Sequence, residues 1–241
     1  MPAPSHLYLQ LESFKKVLAR IAPGDAAAKS LGDSLVVMDE IGSNDYNFWF
    51  FKPGNPRETP NQYMLIVVGH IGAAVQEVIS LGAKAVLVPG NFPIGCVPQY
   101  PSMFQSTSIL DYDEHGCLVW FNNFSKKHNQ LLQQEVARLR SQNPGVKIIY
   151  ADYFGAAMQF VQNPRSYGID NPLVSCCGGD GQYHTGKGYG KAAKIWGQPG
   201  LLRQLGWHPH DGEGIQHHRP RGAEWLIRGH LVAQGMLGQN S

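Results

Sequence analysis

Apolar positions along the chain fall into helical and strand-like blocks that alternate. Leu9, Leu11, Phe14, Leu18 and Ile21 recur at near-helical spacing and predict a helix over Leu7–Ile21. Pro23-Gly24-Asp25 stops it, and Asp25 is placed to cap a short helix over Ala26–Leu31. Leu35-Val36-Val37-Met38 then reads as a short strand running into a polar turn, Gly42-Ser43-Asn44-Asp45. Phe48-Trp49-Phe50-Phe51, followed by Lys52-Pro53-Gly54-Asn55-Pro56, reads as an aromatic loop leaving the sheet. Met64, Val67, Val68, Ile71, Val75, Val78 and Ile79 mark one face of a helix over Asn61–Leu81, which Gly82 ends.

The second half repeats the theme. Ala83–Pro89 is a nearly continuous apolar run, as expected of a parallel strand buried on both faces. Gly90–Cys96 is a loop rich in turn formers. Tyr112–Gln142 carries Leu118, Phe121, Phe124, Leu131, Leu132, Val136 and Leu139, which predict the longest helix; Pro144-Gly145 breaks it. Val146–Ala151 is a third strand and Asp152–Gln162 a short helix. Strand and helix alternate three times, so the expected class is α/β, a parallel sheet between helical layers. From about Asn163 the texture changes. Cys176-Cys177-Gly178-Gly179-Asp180-Gly181 is a loop, and after Gly200 neither a 3.6-residue nor a 2-residue period is visible until Ala223. No internal repeat or domain linker stands out.

Composition narrows the function classes. The 241 residues suit one domain, or at most two, and 43% hydrophobic residues allow a sizeable core. A net charge of +2 gives no pull toward nucleic acid or an anionic membrane. No uninterrupted apolar run reaches the roughly 18 residues that span a bilayer, so no transmembrane segment is expected. The opening MPAPSHLYLQLESFKK has no apolar core of a signal peptide. Four cysteines are too few for a disulfide scaffold.

In open α/β sheets, ligands and chemistry gather beyond the carboxyl ends of the strands. Asn44 sits just there, and an asparagine amide can donate to a developing oxyanion. An ordinary strand-to-helix loop is the competing reading of the same residues.

Three stretches together resemble the plant-type GDSL esterase/lipases, a branch of the SGNH hydrolases. They are Glu40-Ile41-Gly42-Ser43-Asn44-Asp45-Tyr46-Asn47, Val88-Pro89-Gly90-Asn91-Phe92-Pro93-Ile94-Gly95-Cys96 and Tyr150-Ala151-Asp152-Tyr153-Phe154, and the similarity runs from about Ser13 to Trp196. The resemblance implies a three-layer α/β/α fold around a five-stranded parallel sheet. It implies hydrolysis of small ester or lipid-like substrates by acyl transfer to a serine, without a cofactor or metal. Gly42-Ser43-Asn44-Asp45 matches the family's Gly-x-Asn-Asp block. Asn44, with Gly42, is thereby expected at the oxyanion hole, and Asp45 as a brace for the loop. Family members are usually secreted; without a visible signal peptide, a cytoplasmic location is the alternative expectation.

The departures are as informative as the matches. The family's nucleophile block lies far upstream of this asparagine, so the first strands of the sheet are expected to be missing from this stretch. A literal Gly32-Asp33-Ser34-Leu35 occurs, but Ser34 precedes the strand whose far end bears Asn44. Six extended residues span about 20 Å, which puts Ser34 at the wrong sheet edge and makes it a weak nucleophile candidate. The family's Asp-x-x-His block is expected after Trp196. Reading suitable codons for Leu202–Gln216 one base later yields Trp-Asp-Gly-Ile-His within a longer family-like run, so the tail after about Gly200 is expected to be out of frame. Residues 1–200 are then a partial hydrolase domain and 201–241 an aberrant, poorly ordered tail. The favoured function is an inactive relative of the esterases. An active esterase with rewired residues and a non-catalytic lipid- or partner-binding fragment stay open.

Other candidates are weaker. His208, His210, Asp211, His217 and His218 cluster, but H-x-H-D-x5-H-H fits no zinc spacing, so no metal site is expected. His70 and His128 read as packing or surface residues, and His184 has no visible partner. Cys96 and Cys117 form either a disulfide or two buried thiols; Cys176 and Cys177 are adjacent and ill-suited to pair with each other. Tyr46, Phe48, Trp49, Phe50 and Phe51 either fill core or line an acyl pocket. Oligomeric state is not legible.

Overall fold

Three parallel strands, β1 (Leu35–Val37), β2 (Ala85–Pro89) and β3 (Lys147–Ala151), lie in the order β1-β2-β3. The computed structural model describes residues 7–54, 56, 59–185 and 194–195 of the chain. The register sets Val36 beside Val86 and Val86 beside Ile148. This row points into the core, where Val86 is 0% and Ile148 3% exposed. Leu35 and Val37 point the other way at the edge of the described sheet and stay 42% and 53% exposed. Alternation along a strand explains the contrast within three residues.

Helices connect the strands: α1 (Leu7–Ile21) and α2 (Ala26–Gly32) precede β1; α3 (Ser43–Phe50) and α4 (Met64–Ser80) lead to β2; α5 (Gln99–Met103) and α6 (Val119–Gln142) lead to β3; α7 (Tyr153–Gln162) follows. This is the α/β class read from the alternation, built in the three-layer α/β/α manner. Two short antiparallel strands, β4 (Cys177–Gly178) and β5 (Lys194–Ile195), pair with each other in a region expected to be loop.

α4 and α6 pack on each other against the sheet. The segment Pro60–Ser80 is long and apolar enough by composition to cross a bilayer, which the count of unbroken apolar residues had not suggested. Here Met64, Val67, Val68, Ile71, Val75 and Val78 are buried in the protein core, so its apolar character is used for internal packing.

Two expectations are corrected. The aromatic stretch after Asn47 is helix, not loop: α3 carries Tyr46 and Phe50, one turn apart, into the core, while Phe48 stays 62% exposed. An extended strand would have put all three on one side. The long helix starts at Val119, not Tyr112. Ahead of it Asp113 Oδ1 accepts from the backbone N–H groups of His115 (3.0 Å) and Cys117 (2.9 Å), Gly116 turns at φ +82°, and Tyr112 bridges Leu118. An aspartate that satisfies the backbone this way offers a turn in place of helix.

Phe50, Tyr100, Trp120, Phe121 and Phe124 form one aromatic cluster. Phe50 meets Phe121 and Phe124 edge-on at 5.1 and 5.0 Å between centroids, the arrangement ring quadrupoles favour. Tyr46 and Phe50 thus fill core, whereas Trp49 stacks on Tyr63 at 5.3 Å. Cys96 and Cys117 are joined in a disulfide, of the two readings open from sequence. It ties the loop after β2 to the turn before α6, and both residues are buried beside Val161.

Replacing Cys96 and Cys117 together by alanine is expected to lower stability by about 3 kcal/mol, from the entropy of the loop they close. Urea unfolding of both proteins checks it; a reductant should lower the midpoint of the wild type and leave that of the variant unchanged.

Candidate functional site

β1 ends at Val37, and Met38 N–H still donates to Leu87 O at 3.0 Å. The chain then kinks. Asp39 adopts φ +62°, and Gly42 adopts φ +114° where a Cβ would come within 2.8 Å of Val67 Cγ1. Only glycine meets both the left-handed backbone and the lack of room. Gly42 is therefore buried beside Val67, Tyr46 and His128, and the chain passes straight into α3.

The first residues of α3 face in different directions. Ser43 is 9% exposed, whereas Asn44 and Asp45 are exposed. Asn44 therefore stands on the first turn of a helix, just past the carboxyl end of β1, and among the described residues its side chain has no hydrogen-bond partner. Asp45 lies at the positive end of the helix dipole, a favourable place for a carboxylate. The hydrogen bonds that hold the turn come from Ser43 instead. Ser43 Oγ lies 2.7 Å from Glu40 Oε1 and 3.1 Å from Asn91 Oδ1.

Asn91 belongs to the loop after β2, beside the end of β1, and is 1% exposed. Asn129 on α6 grips its backbone: Asn91 N–H donates to Asn129 Oδ1 at 2.6 Å, and Asn129 Nδ2 donates to Asn91 O at 2.9 Å. A side-chain amide here replaces the strand partner that the loop lacks. The preceding Gly90 is needed for the approach, because a Cβ there would press on Tyr150 Oη and Asn129 Oδ1.

Under the turn, Tyr46 Oη lies 2.8 Å from His128 Nδ1, both side chains buried. Burial raises the Tyr46 phenol above its ordinary range and lowers His128 to about 4. The pair is a neutral phenol hydrogen-bonded to a neutral imidazole, a packing bond that occupies Nδ1 of the histidine. Burial also raises the Glu40 carboxyl to about 7, against the bond from Ser43 that lowers it. Glu40 is partly covered, and its hydrogen bond with Ser43 is part-buried.

The remaining candidates lie elsewhere. Ser34 is exposed ahead of β1, and its hydroxyl donates back to Ser30 O at 2.7 Å, a bond that finishes α2. His70 is exposed on α4, and His184 Nδ1 lies 3.1 Å from Ser175 O. Among the described residues no group of three or more His, Cys, Asp or Glu is placed to hold a metal. The histidine cluster at 208–218, the shifted tail and the 200/201 boundary lie outside the described residues. Glu40, Asn91 and Asn129 were not singled out from sequence. The signal was present: Asn122, Ser125 and Asn129 continue, at three- and four-residue steps, the stripe that Leu132, Val136 and Leu139 mark as buried.

A parallel α/β domain with its candidate site on the loops past the strand ends is the class these features define. The chain belongs to the GDSL-like lipase/acylhydrolase family, whose sequence profile matches residues 3–196. It is similar to a sinapine esterase of Brassica napus, 42% identical over 182 residues, covering 74% of this chain and 46% of that protein. Two proteins of Arabidopsis thaliana named GDSL esterase/lipase are 41% identical over 182 residues and 43% over 178, covering 74% of this chain in each case and 46% and 54% of theirs. The chain thus spans about half the length of these relatives.

Two outcomes are expected. Asn129→Ala leaves the buried N–H and C=O of Asn91 unpaired and should cost about 2 to 4 kcal/mol in urea unfolding. The pH dependence follows from two opposed shifts. Glu40 keeps its proton in the folded state up to about 7 against 4.5 unfolded, so its contribution is full below 4.5 and is lost as pH rises through 7. His128 resists protonation in the folded state down to about 4 against 6.5 unfolded, so its contribution is full above 6.5 and is lost as pH falls through 4. Wild-type stability should be nearly flat between pH 5 and 6.5, while Glu40→Gln should be more stable at pH 6.5 than at pH 5 by about 2 kcal/mol.

Proposed function

We propose that this chain serves carboxylic-ester hydrolysis as the part that receives the negative charge, with Asn44 as an oxyanion donor toward small ester or lipid-like substrates. The observation that carries the reading is the exposed Asn44 amide on the first turn of α3, without a side-chain partner among the described residues and held from beneath through Ser43 and Asn91. When an ester carbonyl is attacked, its oxygen gains charge, and a donor fixed in advance lowers the barrier without reorganising. The first peptide N–H groups of α3 add the positive end of an eight-residue helix to the same place.

The attacking group is a different matter. The Gly32-Asp33-Ser34-Leu35 match lies ahead of β1, and Ser34 is engaged with α2. The buried His128 is taken by Tyr46. Among the described residues, these two candidates are engaged elsewhere, which supports the reading that this stretch holds the charge without generating it. A second reading, binding of an apolar ligand or partner without turnover, is supported by Ile109 and Leu110, which stand 84% and 85% exposed. The Cys96–Cys117 disulfide favours an oxidising compartment over the cytoplasm.

The purified chain is expected to cleave 4-nitrophenyl acetate no faster than buffer and to take no fluorophosphonate label on serine. Turnover well above buffer, lowered about 10²- to 10³-fold by Asn44→Ala, would establish a working esterase instead. Saturable quenching of tryptophan fluorescence by a long-chain ester, without turnover, would favour the binding reading.

A further inference from the structure

Ser43 Oγ stands within hydrogen-bond reach of two oxygens, Glu40 Oε1 at 2.7 Å and Asn91 Oδ1 at 3.1 Å. A hydroxyl has one proton and can donate to only one of them. At the same time Asn91 Nδ2 is buried with no hydrogen-bond partner. Two arrangements resolve the conflict. With the Glu40 carboxyl protonated, it donates to Ser43 Oγ and Ser43 donates to Asn91 Oδ1. With Glu40 ionised, Ser43 donates to the carboxylate, and the Asn91 amide is best turned over, so that Nδ2 donates to Ser43 Oγ. The two ends of an asparagine amide are nearly the same shape, so turning it needs little room.

We propose that Glu40 is a positioning residue for Asn44: the Glu40 carboxyl, Ser43 hydroxyl and Asn91 amide form one hydrogen-bond chain whose direction reverses with the proton on Glu40. The backbone of Asn91 stays clamped by Asn129 in both states, so the change is confined to the side chains and to the first turn of α3. Neutral Glu40 removes one of the negative charges near the start of α3, where Asp45 also stands, and leaves that turn better suited to an anion. Ionised Glu40 puts a carboxylate against the same turn, where it competes with any oxyanion held by Asn44. Burial holds the Glu40 carboxyl at about 7, so both states are populated near neutral pH. Asp39 on the same connection and Asp45 on α3 add negative charge that raises it further. From α6, His128 faces the turn but is paired with Tyr46 and held near 4. From α5, Tyr100 is hydrogen-bonded to Asn47 and kept protonated by burial.

The inference rests on the oxyanion reading for its relevance, but its test does not use ester turnover, so the two fail separately. In the isotope-labelled full chain followed by NMR, the Asn91 side-chain amide and the Ser43 and Asn44 backbone amides are expected to shift together with a midpoint near pH 7. Glu40→Gln should flatten all three. Ser43→Ala should leave the Glu40 carboxyl carbon titrating while the Asn91 side-chain amide stops following it. A wild-type Asn91 amide that does not titrate, or one that still titrates near neutral pH in either variant, overturns the chain. Titration of Ser43 and Asn91 with a motionless Asn44 overturns the positioning role. If Glu40→Gln fails to fold, as a collapsed amide spectrum would show, wild type and Ser43→Ala decide between these outcomes.

Discussion

Helix α6 meets the rest of the protein along one stripe that carries two kinds of residue. Leu132, Val136 and Leu139, toward its C-terminal end, are each 1% exposed and bury aliphatic surface. Asn122, Ser125 and Asn129, nearer its start, are buried on the same stripe and are polar. A buried amide is tolerated only when it is hydrogen-bonded. Asn129 meets that demand by taking both backbone groups of Asn91, and Asn122 meets part of it by accepting from Gly95 N–H at 3.0 Å. The loop after β2 is thereby shaped by the helix it precedes. The turn of α3 leans on that loop through Ser43, so the position of Asn44 traces back to the face of α6.

Most of the architecture was legible because it follows from periodicity. The three strands, α1, α4 and α7 stand within a few residues of where their apolar patterns put them. The failures have physical causes that a single-residue pattern does not register. Residues 43–50 contain turn formers followed by aromatics, and only the packing of Tyr46 and Phe50 on α6 makes a helix the better solution. Roughly the first two turns expected of the long helix, from Tyr112 to the start at Val119, are lost to the Asp113 side chain and the disulfide at Cys117, both of which hold the backbone in another shape.

The site was legible only at its surface. Asn44 could be read from a motif, and its placement past the end of β1 from the strand that precedes it. Its supports could not, because each belongs to a different element: Glu40 to the connection after β1, Asn91 to the loop after β2, Asn129 to the middle of α6. A hydrogen-bond pair such as Asn91–Asn129, 38 residues apart in the chain, leaves no local trace beyond a polar residue where an apolar one is due. The resemblance singled out Asn44 as a candidate and was silent about the residues that hold its turn.

The outer margin of β1 combines exposed Leu35 and Val37 with backbone groups that no neighbouring strand takes up among the described residues. Such a margin invites a foreign strand to add to the sheet. Three residues present few backbone groups on that side, and the kink that begins at Asp39 turns the chain out of the sheet plane. The same sharp turn that delivers Asn44 thus also sets how far a ladder can run along this margin.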